Sequence, residues 1–351
     1  MIQVPEFSLE EILDHWLART PDRVIKPLEN HGGLSGSRLW KVETSNQAYC
    51  LRQWPNHPTA ERFAEIHGLL DHLQDQRCEI TPTVLRTFKR GSSLEPTTYI
   101  YANDVAWELQ TWTPGEAVAL HRFNTEENRT VLSTLAQVHG IAARPPHAPS
   151  AKQRRSEGLR VRLETLESLK RPAFQETLRE LIAASDSPQT QRFKHMYGEL
   201  LKTLPLVYEE VLRATDHELP LQWILGDVHR EHFLFTNGQV TGLVDFGAVC
   251  VDSRVRDIAR LLDSIALDDP ERWEVGVQAY QQVSPLTPDE LAVLAAFDSG
   301  GVAVAAYRWL HWLVVEGRQL APEAVAARLE HLAGRLEALN RRGRASVLPP
   351  S

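Results

Sequence analysis

The chain has 351 residues, a net charge of −8, and 42% hydrophobic against 24% charged residues. That length suggests roughly two to three units of ordinary domain size with a sizeable core. The composition is that of a soluble globular protein, and the acidic balance argues against a nucleic-acid partner. Cys50, Cys78 and Cys250 lie far apart with no CxxC spacing. They form neither a disulfide framework nor a zinc site, which fits a reducing cytoplasm.

The opening Met1–Ser8 has no basic or apolar region of a signal peptide, so a cytoplasmic protein without a membrane partner is expected. Ser8-Leu-Glu-Glu11 is a capping box, predicting a helix to about Trp16. His31-Gly-Gly-Leu-Ser-Gly-Ser37 lies between that helix and the strand Arg38–Thr44; a turn at Ser45–Gln47 leads to a return strand, Ala48–Trp54. Gly32, Gly33 and Gly36 would let backbone amides approach a phosphate, and Ser35 and Ser37 add hydroxyls. Arg52 on the return strand carries a fork suited to phosphate. Ala60–Leu73 is an amphipathic helix with Glu61 and Glu65 off its apolar face, either of which could pair with Arg52. Thr83–Thr87, Thr98–Tyr101 and Val105–Trp112 read as strands.

Beyond Gly115 the pattern becomes helical, placing a boundary between Leu109 and Gly115. Helices are predicted over 124–143, 159–169, 174–184, 191–212, 254–267, 270–283, 288–297, 302–315 and 322–339, with a Pro-rich, basic linker over 144–156 and a frayed basic tail from Arg341. His139 reads as a hydrogen-bonded core histidine. Gly300–Val315, the longest apolar stretch, is broken by Arg308 and His311 and falls short of the about 20 residues of a span. It reads as a buried core helix.

Gln222–Gly247 carries the chemistry. Asn237-Gly238 between Phe233–Phe235 and Val240–Val244 predicts a hairpin with a type I′ turn. Counting from that turn, Thr236 faces Gln239, Phe235 faces Val240 and His232 faces Leu243. Asp245 then lies two residues past the partner of His232, within reach of a shared site. Asp227 precedes the hairpin after the apolar run Trp223–Leu225, so three polar groups gather at its open end.

These residues carry a resemblance to the aminoglycoside phosphotransferase family of small-molecule kinases. Leu225-Gly-Asp-Val-His-Arg-Glu-His232 followed by Val244-Asp-Phe-Gly247 is similar to its catalytic segment and metal-binding Asp. Asp257-Ile-Ala259, Leu135–His139 and Pro114-Gly115 resemble its later signatures. The resemblance implies an α+β, protein-kinase-like bilobal fold: a small antiparallel-sheet N-lobe over residues 1–112 for the nucleotide, and a larger, mainly helical C-lobe over 113–351. It implies Asp227 as catalytic base, Asp245 as ligand of Mg2+ or Mn2+, Gly32–Ser37 over the triphosphate of ATP, and Arg52 on the phosphates with Glu65 as its partner. Glu108, Leu109 and Gln110 would begin a hinge, running to Trp112, that meets adenine.

Three positions depart from the family pattern. Leu225 replaces a histidine that supports the loop, and Arg52 stands for Lys with the same charge but another shape. His232 replaces the Asn that holds a second metal; imidazole suits softer ions than Mg2+, so His232 binds such a metal, donates to a phosphate, or marks a lost site. The twelve residues from Asp245 to Asp257 leave no room for a peptide-ordering activation segment, so a small-molecule hydroxyl acceptor is expected. Asp252, Arg254, Tyr307, Arg308, Trp309 and Trp312 are candidates to line its pocket. The competing readings are a pseudokinase that binds nucleotide or partner, and a metal hydrolase built on Asp227, His229, His232 and Asp245.

Overall fold

A computed structural model describes residues 7–28, 36–55, 57–88, 95–144, 154–266 and 268–347. In chain order the first elements are α1 (Leu9–Leu13), β1 (Val24–Pro27), β2 (Arg38–Glu43), β3 (Ala48–Gln53), α2 (Ala60–Asp75), β4 (Tyr99–Ala102), β5 (Val105–Thr111) and β6 (Glu116–Ala117). They are followed by α3 (Thr125–Ala142), α4 (Glu157–Lys170), α5 (Pro172–Ala183), α6 (Thr190–Ala214), β7 (Gln222–Ile224), β8 (Phe233–Thr236) and β9 (Gln239–Leu243). The last are β10 (Cys250–Asp252), α7 (Val255–Ile265), α8 (Pro270–Val283), α9 (Pro288–Leu310) and α10 (Pro322–Val347).

The chain divides into two compact units. The first comprises residues 1–122, 140–147 and 230–250. Its five-stranded antiparallel sheet has the order β1-β2-β3-β5-β4. Ile12, Leu13 and Trp16 close over Val42, Leu51, Trp107 and Leu109 as its core. The capping box of α1 forms as expected, with Ser8 accepting from the Glu11 N–H, but the regular helix stops at Leu13. The second unit, residues 123–139, 148–229 and 251–351, is mainly helical. There α9 packs on α4, α6, α7 and α10.

Five expectations are corrected. Thr83–Thr87 is not a strand: Val84 makes a single bridge to Gln110. Here β4 already occupies Val105–Glu108 on the same edge of β5, leaving room for one bridge beyond it. Strand β1 has no counterpart in the sequence reading, because it is a short, largely exposed edge with little apolar alternation. The helices expected over 288–297 and 302–315 are one, running through Gly300 and Gly301 and closing in a π turn at His311–Val315. Gly300 serves close packing rather than a break, since an added Cβ would stand 2.8 Å from Val211 Cγ2. This helix and its π turn are long and apolar enough to pass for a membrane span by composition, yet the most apolar window is 67% buried within the protein. Helix α10 continues past Arg341 to Val347.

The fifth correction falls on the hairpin. Asn237 and Gly238 have φ of 52° and 78°, as the I′ turn requires. Thr236 faces Gln239 and Phe235 faces Val240 as expected, but a bulge then pairs Leu234 with Gly242 and Phe233 with Leu243. The extra residue, Thr241, has a use: its hydroxyl donates to the Pro114 carbonyl at 3.1 Å. Register therefore slips by one. The Val244 N–H donates to the His232 carbonyl at 3.0 Å, so Asp245 follows directly on the residue opposite His232.

Candidate active site

Within the first unit, Arg52, Ser37, His232 and Asp245 come together. Arg52 sits on β3 opposite Glu108 of β5. Its guanidinium stacks on Trp54 with the central carbon 4.1 Å from the ring centroid. Two of its nitrogens reach Ser37 Oγ at 3.3 and 3.4 Å, and Nη1 meets Asp245 Oδ1 at 3.3 Å. The expected partner Glu65 is elsewhere: it pairs with Arg62 at 2.8 Å. Arg62 also donates to the carbonyls of Gly247 and Val249, tying α2 to the segment after Asp245. That role had no signal in the motif. Gly247 keeps its place because a Cβ there would stand 2.9 Å from Arg52 Nη2.

Asp245 has a φ of 64°, a conformation that Asp tolerates better than most side chains and that recurs at functional sites. Its carboxylate is 46% exposed, and the Gly247 N–H donates to Oδ1 at 3.3 Å. His232 ends a single 3₁₀ turn, and its Nε2 is 3.9 Å from Asp245 Oδ2. A carboxylate and an imidazole this close can share one ion. That donor pair, completed by nucleotide phosphates, could hold a divalent cation.

Gly32, Gly33 and Ser35 lie outside the described residues. Gly36, with a φ of 72°, and Ser37 are at the start of β2. Glu108 is fully buried, meeting His67 Nε2 at 2.8 Å and accepting from Gln110 at 3.1 Å. The Leu109 carbonyl accepts from the Leu85 N–H, and the N–H groups of Thr111 and Trp112 donate to Thr83 and Ala48. Sheet bonds thus occupy much of the expected hinge. Gly115 holds the turn beyond it: its φ is 105° and a Cβ would lie 3.0 Å from the Phe235 backbone.

Within the second unit, the loop bearing Asp227 is clamped from below. Asp257, fully buried on the first turn of α7, accepts from the Leu225 and Gly226 N–H groups at 2.7 and 2.9 Å. His139 Nε2 lies 3.2 Å from the same carboxylate, and His139 Nδ1 is 2.8 Å from the Tyr280 hydroxyl. This is the core histidine the sequence suggested. Gly226 turns with a φ of 81°, delivering Asp227 to the surface.

The Asp227 carboxylate is 57% exposed and accepts from Arg260 Nε at 2.9 Å, with His229 Nε2 at 3.5 Å. Burial pushes its pKa up, but the hydrogen bonds and charges of His229 and Arg260 outweigh that and hold it well below the usual carboxylate range. Arg260 also meets Asp263 at 3.2 Å. Asp263 in turn accepts from the buried Arg335 at 3.0 Å, which donates to Asp298 at 2.6 Å and pairs with Asp268. Sequence reasoning missed Arg260; its signal is the placement of Arg256 and Arg260 one turn apart beside Asp257.

The proposed acceptor residues separate. Asp252 is buried and committed to the Ser156 hydroxyl at 2.5 Å, the Gly158 and Ser253 N–H groups and Arg256. Arg254 is committed to buried Glu290 at 2.7 Å, to Ser284 and to the Pro285 carbonyl. Both hold the fold. Tyr307 packs on Phe174 and His311, Trp309 on Trp312, and Trp312 under Arg318. Arg308 is exposed and has no ion pair among the described residues.

Residues 27–297 match the model of the phosphotransferase enzyme family. A 104-residue stretch is 33% identical to a homoserine kinase of Polaromonas naphthalenivorans, covering 27% of this chain and 33% of that one. The chain thus spans about a third of the length of that relative. In structure the chain is similar to an aminoglycoside phosphotransferase of Alicyclobacillus acidocaldarius, with a TM-score of 0.63, 16% identity, and coverage of 98% of this chain and 97% of the other. It is also similar to an amicoumacin kinase solved with AMP-PNP and Ca2+, with a TM-score of 0.61, 14% identity, and coverage of 93% and 91%. The fold is protein-kinase-like, with an antiparallel-sheet N-terminal region and a mainly helical C-terminal region, and the chain belongs to the phosphotransferase enzyme family.

Proposed function

We propose that this chain is an ATP-dependent phosphotransferase that moves the γ-phosphoryl group to a hydroxyl of a small molecule of the aminoglycoside, sugar or amino-alcohol type. The observation that carries the reading is Asp227: an exposed carboxylate kept ionised by Arg260 and His229, on a loop whose backbone Asp257 clamps. The group that receives the hydroxyl proton must be ionised, reachable and fixed; an aspartate is ionised near neutral pH in any case, and Arg260, His229 and the clamped loop hold this one in place.

In the proposed reaction the acceptor oxygen bonds to the γ-phosphorus while the bond from that phosphorus to the β,γ-bridging oxygen breaks. The hydroxyl proton passes to Asp227 and ADP leaves. Asp245 and His232 would hold the divalent cation, which when bound neutralises phosphate charge. Arg52, already gathered with Ser37, would hold the phosphates beside Gly32–Ser37. Residues 1–112 would serve the nucleotide and 113–351 the acceptor. Because sheet bonds engage Leu109, Thr111 and Trp112, adenine would meet the backbone past Trp112 rather than at Glu108–Gln110.

The homoserine kinase relative and the AMP-PNP and Ca2+ of the amicoumacin kinase support the reading. The test is phosphotransfer from ATP across a panel of hydroxylated metabolites with Mg2+ and with Mn2+. Asp227→Asn should lower turnover roughly 10³-fold while the protein still melts cooperatively, with only a small loss of melting temperature from the missing ion pairs. ATP raising the melting temperature without phosphotransfer to any acceptor would instead make the chain a nucleotide-binding pseudokinase.

A further inference from the structure

Arg162 on α4 is a half-buried charge with no ion pair among the described residues. Its Nη1 donates to the Gly158 carbonyl at 2.9 Å, and its guanidinium lies over Phe297 with 5.2 Å to the ring centroid. Neither contact supplies negative charge. Its Nε is sealed from solvent and meets no hydrogen-bond partner. Burying a guanidinium without a counter-ion costs several kcal/mol, so proteins pair such groups or bind an anion there.

The surroundings worsen the imbalance. Burial lowers the Arg162 guanidinium to about 9, joined by the charges of Arg256, Arg308 and Arg260, while Asp252 pulls the other way. Asp252 is already shared among Ser156, Gly158, Ser253 and Arg256. Asp227 and Asp263 are bound to Arg260. Helices α4, α7 and α9 therefore contribute four arginines whose nearby acids are taken by Arg256 and Arg260, leaving Arg162 and Arg308 with no ion pair among the described residues. Arg162 also lies against α9: an added Cβ at Gly301 would stand in ordinary contact with Arg162 Nη2 at 3.8 Å. Arg308, on the same helix as Gly301, is exposed.

We infer that Arg162, Arg256 and Arg308 form a subsite for an oxyanion, a carboxylate or phosphate, carried by the hydroxyl acceptor. Arg260, bonded to Asp227 at 2.9 Å, belongs to the same cluster, so the anion lies on the acceptor side of the catalytic base. Guanidinium forks match a planar carboxylate better than they match any neutral or cationic group. The substrate class is then a small hydroxy acid or phosphorylated alcohol, and a polycationic aminoglycoside is disfavoured by repulsion from Arg162 and Arg308. This inference rests on the phosphotransferase reading for its acceptor, but not for its anion site.

The experiment compares L-homoserine and glycerate, glycerol 3-phosphate, 1-amino-2-propanol and kanamycin, with the whole chain. Two readouts are taken: kcat and KM with ATP, and the melting temperature with each compound and AMP-PNP. The anionic acceptors should show the higher kcat/KM and the larger melting shift, and whether carboxylate or phosphate wins identifies the anion. Arg308→Gln should raise KM for the anionic acceptors about tenfold, Arg308→Lys should recover part of it, and the loss should fall on KM more than kcat. Arg308 is exposed, so this variant should fold; Arg162→Lys adds a second probe at the half-buried position. Turnover of 1-amino-2-propanol or kanamycin at equal or higher kcat/KM would overturn the inference while leaving the kinase reading intact. A melting shift by an anionic probe that Arg308→Gln abolishes, without turnover, would uphold the subsite and sink the kinase reading. No shift and no turnover with any anionic probe would overturn the subsite.

Discussion

The two compact units hold their charged groups in different ways. In the first, Arg52, Asp245 and His232 meet at 3.3 and 3.9 Å around a carboxylate that is 46% exposed. Such contacts are loose and screened by water, so they can be exchanged for phosphate or metal at little cost. In the second, Asp227 is the surface end of a chain of ion pairs that runs through Arg260 and Asp263 to the fully buried Arg335. Asp257, also buried, fixes the backbone beneath it. On the proposed function this is a division of labour: the groups assigned to the nucleotide are left adjustable, and the group assigned to accept a proton is wired into the core.

The sharpest way to break this comparison is to cut the buried end of the chain. Arg335→Met leaves buried Asp298 without its cation and Asp263 with Arg260 alone, and the protein should lose roughly 3–5 kcal/mol in urea unfolding. A loss under about 1 kcal/mol would show that the network does not brace the core. The matching cut in the first unit should do much less to stability. Arg52→Gln removes a half-exposed pair and should cost at most about 1 kcal/mol, while the KM for ATP rises about tenfold because a phosphate contact is lost. Equal destabilisation by the two variants would erase the distinction between the units.

Much of the fold was legible because its signals are local. Asn237-Gly238 specified the hairpin turn, the Ser8–Glu11 box specified the start of α1, and apolar spacing gave most helices. What failed were long-range matters. Whether Thr83–Thr87 becomes a strand depends on where β4 pairs along β5, which no local pattern records. Gly300-Gly301 looked like a break because glycine weakens isolated helices, whereas here Gly300 admits Val211 of a neighbouring helix. The site followed the same rule. Asp227, His232 and Asp245 stand out by motif. Arg260, which holds Asp227, and Arg62, which holds the Gly247 and Val249 carbonyls, lie elsewhere in the chain, and the pairing Arg52–Asp245 is fixed by tertiary geometry. Asp252 and Arg254, polar residues close to the motif, proved to be braces of the fold.

The central claim is that Arg260 and His229 keep Asp227 ionised and aimed. A depressed pKa means that the carboxylate is charged at every ordinary pH, and that the stabilisation it gains from its partners is complete above the unfolded Asp value of about 4 and fades only as pH falls through its lower folded value. The direct measurement is the titration of the Asp227 carboxyl carbon by NMR in the wild-type protein and in Arg260→Gln, with Asp227→Asn to assign the signal. The account predicts no titration step above about pH 4 in the wild type and a midpoint moved upward in Arg260→Gln. A wild-type midpoint at or above the ordinary Asp value, unmoved by Arg260→Gln, would contradict it.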